Sequence, residues 1–136
     1  MKIIVSLSIF FTFSNLIYGQ KTDEGEVVVN QFVNDMKANK ILIKHLSSTF
    51  LIDEGLDNNN CIVDFLTIKR FKIKSISASE YLVSIDHGSG SYCTEFVLKL
   101  TRENGNLKLL PANVIYNSKI KKYIVTAWWG KVNQCK

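Results

Sequence analysis

Apolar side chains recur at helical spacing over residues 22–39, where Val28, Val29, Phe32, Val33 and Met36 fall on one stripe. Asp23, Glu24 and Glu26 stand near its start, where the helix dipole favours anions, and Lys37 and Lys40 stand at its end. Asn39 serves as the C-terminal cap. A second helix is predicted over 41–51, with Ile41, Leu42, His45, Leu46, Thr49 and Phe50 on one face and Lys44, Ser47 and Ser48 on the other. Residues 53–60 form a polar run that cannot continue a helix and reads as a surface loop. It lacks the spaced oxygen ligands, central glycine and closing glutamate of a calcium loop.

From Cys61 onward the period becomes two. Residues 71–75 alternate apolar and basic, and residues 81–86 are β-rich and run into a turn at 87–91. The strongest local signal is Asn104-Gly105 between runs 94–102 and 106–115, the mark of a type I′ hairpin, since both turn residues need positive φ. That turn sets Leu100 opposite Leu109, Leu98 opposite Pro111 and Arg102 opposite Leu107, which aligns apolar side chains across the pair. Pro111 has no N–H, so the second strand is expected to become irregular there. A last strand over 123–129, apolar on both faces, is expected to lie partly covered. Two helices followed by a run of antiparallel strands make an α+β fold.

Residues 1–19 place Lys2 before an apolar run, with Gly19 ahead of a polar stretch, the order of a cleaved secretory signal peptide. The run is too short to span a bilayer. The expected product is a single domain over 20–136, secreted or periplasmic, with no membrane span after cleavage. Apolar residues at 46% and charged residues at 21% exclude a disordered tail. The formal charge of +5 falls by one with Lys2, an excess too small for a strong field, and an exported chain seldom meets nucleic acid. No nucleic-acid partner is therefore expected. Cys61, Cys93 and Cys135 match no zinc spacing, so neither a metal site nor a cofactor is expected. Strand parity puts Cys93 with Glu95 and Lys99, on the wetter face, where the C-terminal tail can reach it. A Cys93–Cys135 disulfide is expected, with Cys61–Cys135 as the alternative.

The element order, with the phrase Asn104-Gly105-Asn106-Leu107-Lys108-Leu109, resembles the nuclear transport factor 2-like superfamily over about residues 24–110. Leu107 stands where that family usually has tryptophan. The resemblance implies a cone in which a curved sheet wraps a long helix around an apolar pocket. Its members include isomerases, dehydratases, transport factors and binding modules, so fold does not choose among them.

Asp86-His87 looks like a catalytic dyad, but consecutive strand residues point to opposite faces and cannot meet. His45, on an apolar helix face, reads as a core or pocket-edge histidine with one partner; the sharper reading is a pocket base acting with Asp64 or Asp86. Lys69, Arg70, Lys72 and Lys74 form one basic stretch. Lys119, Lys121 and Lys122 form another, followed by Tyr123, Trp128 and Trp129, a combination suited to an acidic partner and also to an ordinary solvent face. Of the two tryptophans at most one can be core. The function expected is a non-catalytic binding or interaction module, taking a small apolar ligand or an envelope or extracellular protein through His45, Tyr123, Trp128 and Trp129. The alternative is an acid–base enzyme of the same fold acting on a small apolar substrate.

Overall fold

A computed structural model describes residues 23–88 and 93–130. The expected signal peptide and Cys135 lie outside the described residues. The first helix, α1 (Glu24–Lys37), begins where Asp23 accepts from the Gly25 N–H at 3.0 Å and the Glu26 N–H at 3.4 Å. It ends at Asn39, whose φ of 56° turns the chain into the left-handed region, with the Asn39 N–H returning to the Met36 carbonyl at 3.1 Å. Val29, Phe32, Val33 and Met36, spaced three and four apart, bury the stripe completely or nearly so.

The second predicted helix is interrupted. A 3-10 turn (Ile43–His45) comes first, and a short helix, α2 (Ser48–Asp53), follows. Between them Leu46 leaves helical geometry to bridge Leu109, and the Ser47 N–H donates to the Leu109 carbonyl at 2.8 Å. A tertiary pairing therefore overrides the local period. Ser47, predicted on the polar face, is buried and caps α2 by accepting from the Phe50 N–H at 3.2 Å.

Eight strands follow among the described residues: β1 (Cys61–Val63), β2 (Arg70–Ser75), β3 (Glu80–Asp86), β4 (Cys93–Glu103), β5 (Asn106–Leu109), β6 (Asn113–Asn117), β7 (Lys122–Thr126) and β8 (Trp128–Trp129). The larger sheet runs β2-β3-β4-β5, with β8 also on β4; the smaller runs β1-β7-β6. All pairs are antiparallel except β1 with β7. The protein is thus mixed α+β, helices first and mostly antiparallel strands after. Asn104 and Gly105 have φ of 50° and 81°, and Leu100 faces Leu109 and Arg102 faces Leu107, as the hairpin requires.

Leu98 does not face Pro111. It pairs with Trp128, because β5 stops at Leu109 and the chain crosses Pro111 to start β6 in the other sheet. The single strand expected over 123–129 is likewise divided at Ala127 between the two sheets. The core joins the α1 stripe to Tyr81, Val83, Ile85, Phe96 and Leu98 on one face of the larger sheet. Removing a ring such as Phe32 from this layer costs about 3–5 kcal/mol.

Candidate functional site

The opposite face of the larger sheet carries the polar chemistry. Register sets Arg70, Asp86 and Cys93 in one row and Lys72, Ser84 and Glu95 in the next. With Lys37 and Phe71 these side chains line an open cleft of about 730 Å³. Arg70 donates to Asp86 Oδ2 from Nη2 at 2.8 Å and from Nε at 3.2 Å, while the Gly88 N–H donates to Asp86 Oδ1 at 2.8 Å. These contacts, Arg70 first, hold the Asp86 carboxyl below the usual carboxylate range. Glu95 accepts from Ser84 Oγ at 3.2 Å. Lys37 and Lys72 make no ion pair among the described residues, which leaves two ammonium groups at the cleft. No imidazole lines it. The cleft thus gathers the cations Lys37, Arg70 and Lys72 with the carboxylates Asp86 and Glu95.

The basic stretch at 69–74 is legible in the sequence, but its companions Lys37, Ser84, Cys93 and Glu95 come from three other elements. Only the strand register reveals them. Cys93 shares the face of Glu95 as expected, yet it is buried, not wet. Cys61 is a buried free thiol whose Sγ donates to the Asp57 carbonyl at 3.1 Å, which sets aside the Cys61–Cys135 alternative.

His45 meets neither Asp64 nor Asp86. Its Nε2 lies 2.7 Å from Asp35 Oδ2, a carboxylate only 2% exposed on α1 that the sequence reading missed. Lys44 Nζ reaches the same oxygen at 3.2 Å, and Gln31 Nε2 donates to Asp35 Oδ1 at 3.0 Å. The His45 bond, more than the lysine and the amide, pulls the Asp35 carboxyl down to about 2 against the opposing effect of burial. The imidazole edge packs on Phe32 at 5.6 Å. The cluster clips the 3-10 turn to α1, and neither His45 nor Asp35 lines the cleft. An aspartate at the stripe boundary of α1 was the available signal.

Asp86 and His87 diverge as strand geometry demands. Asp86 holds Arg70, whereas His87 Nδ1 lies 2.6 Å from the Thr67 carbonyl and Nε2 2.6 Å from Thr94 Oγ1. The tryptophans also divide. Trp128 packs on Phe96 at 5.6 Å beside the core, while Trp129 lies under Lys99 Nζ at 4.4 Å and donates from Nε1 to the Leu110 carbonyl at 3.3 Å. Tyr123 is on the smaller sheet, 5.1 Å from Tyr116. The expected site residues His45, Tyr123, Trp128 and Trp129 therefore occupy four separate surroundings.

No helix among the described residues is long and apolar enough to cross a membrane. Comparison with protein-family models, with curated proteins and with solved structures returns no match to this chain.

Proposed function

We propose that the protein is a small exported, non-catalytic interaction module that engages an acidic segment of an envelope or extracellular protein through the cleft of Lys37, Arg70 and Lys72. The observation carrying this reading is a pair of ammonium groups with no ion pair among the described residues at an open cleft, set against a helix-facing side filled by α1. Lys74 and the Lys99–Trp129 stack lie on the same sheet face and extend the basic, aromatic character beyond the cleft. Export rests on the signal-like segment 1–19, and the helix-on-sheet order supports a cone-like arrangement of the nuclear transport factor 2-like kind. A Cys93–Cys135 disulfide would tie the chain end to the cleft wall, contributing roughly 3–4 kcal/mol in the chain-entropy model.

Fluorescence anisotropy with a labelled oligoglutamate peptide tests the reading. Binding should weaken as salt rises. Lys37→Glu with Lys72→Glu should weaken it at least about tenfold, the equivalent of about 1.4 kcal/mol. Failure of the wild-type protein to bind, or equal binding by the double variant, refutes it. The alternative, an acid–base enzyme, draws on the buried His45–Asp35 contact. It requires His45→Gln to abolish turnover of some small apolar substrate while the fold survives.

A further inference from the structure

We infer that the free edge of β6 is an interface for a second copy of this chain, pairing β6 with β6 antiparallel about a two-fold axis at Ile115. The inference is independent of the cleft. Among the described residues, β6 has a strand neighbour on one side only, β7. Its sequence, Asn113-Val114-Ile115-Tyr116-Asn117, carries neither charge nor proline, two of the devices that blunt a strand edge. Ile115 and Tyr116 are 58% and 53% exposed. The Val114 N–H donates only locally among its side-chain contacts, to Asn113 Oδ1 at 2.9 Å.

Two of the other sheet edges differ. β2 presents Arg70, Lys72 and Lys74, so a second copy there would set like charges together. β1 is only three residues long.

The strand is also self-complementary. A two-fold at Ile115 sets Ile115 on Ile115 of the second copy, Val114 on Tyr116 and Asn113 on Asn117. Val114 with Tyr116 is a favourable aromatic–β-branched cross-strand pair, no pair sets like charges together, and the contact closes on itself as an isologous dimer requires. Within one copy, the register places Ile62, Ile124 and Ile115 side by side on one face of the smaller sheet. A two-fold perpendicular to that sheet keeps this face on one side and doubles the row to six isoleucines. Main-chain hydrogen bonds supply the affinity and the isoleucine row the register.

Sedimentation velocity on the full chain as purified, over rising concentration, should show the mass doubling. Ile115→Lys places two ammonium groups at the axis and should move the midpoint at least tenfold higher in concentration. Ile52→Lys, an equally conspicuous surface isoleucine on α2, should not. Central residues of an antiparallel pair bring their Cα atoms to about 4.5–5.5 Å, within disulfide reach. Oxidised Ile115→Cys should therefore form a covalent dimer, whereas Asn113→Cys, facing Asn117, should not. A single-chain mass at every concentration, an unchanged midpoint for Ile115→Lys, or equal cross-linking at Asn113→Cys overturns the inference. A monomer whose Val114 and Tyr116 amides resist hydrogen exchange also overturns it, and assigns the edge to another segment of the same chain.

Discussion

Replacing Glu103 by glutamine removes a charge that holds α2 in place from 55 residues away. Glu103 lies at the end of β4, where the hairpin turn carries it over the start of α2. Its Oε2 accepts from the Ser48 N–H at 2.9 Å and Ser48 Oγ at 2.8 Å; its Oε1 accepts from Ser47 Oγ and from the Thr49 N–H at 3.4 Å. These bonds, led by Ser47, pull the carboxyl from 4.5 down to about 2. At about 1.4 kcal/mol for each tenfold change in proton affinity, that shift sets a ceiling of about 3.5 kcal/mol. Glu103 is half-buried and solvent screens it, so we expect about 1–2 kcal/mol, in the range of a lost helix cap.

Because the folded-state pKa is depressed, the contribution is present above about 4.5 and is lost as pH falls toward about 2. Urea unfolding of wild type and Glu103→Gln at neutral pH should differ by that amount, with an unchanged m-value, and thermal midpoints should differ by roughly 5–10 °C. The two proteins should converge toward pH 2. A gap that persists undiminished in acid would mean that the loss is one of packing, not charge, and would refute the reasoning.

Three further outcomes follow from the same structure. Gly25→Ala should destabilise the protein by about 1–3 kcal/mol despite alanine's better helix propensity, because a Cβ there meets Cζ of the buried Tyr81 at 2.7 Å as well as its hydroxyl; an increase in melting temperature would contradict it. Asp35→Asn should lower stability by about 1–3 kcal/mol at neutral pH by weakening the bonds from His45, Lys44 and Gln31. With its carboxyl at about 2, the penalty should shrink as pH falls from about 4 toward 2, which acid titration of both proteins by circular dichroism reads directly. Burial raises the Cys61 thiol above its ordinary pKa, so it should resist iodoacetamide in the native protein and react on denaturation; peptide mapping that finds it alkylated under native conditions would contradict its placement.

The helix stripe of α1, its acidic start and Asn39 cap, the alternation of β2, the β-rich run of β3 and the Asn104-Gly105 hairpin were all legible in the sequence. Each is dictated by residues within a turn or a strand of one another. Residue spacing settles which side chains share a face before any partner is known. The opposite orientation of Asp86 and His87, and of Trp128 and Trp129, follows from the same period.

Contacts between distant segments decided the rest. The helix expected over 41–51 broke because the Leu109 carbonyl offers Ser47 a better partner than the preceding turn does. The long second arm of the hairpin divided at Pro111 because the chain there leaves one sheet for another. Asp35 became the partner of His45, and Lys37 the neighbour of Lys72, only once α1 had docked. Local propensity is worth tenths of a kilocalorie per residue, whereas a pairing that buries side chains and satisfies backbone groups is worth several times that. Where the two disagreed, as at Leu46 and Ser47, the tertiary contact prevailed, and the cleft exists only because register assembles it.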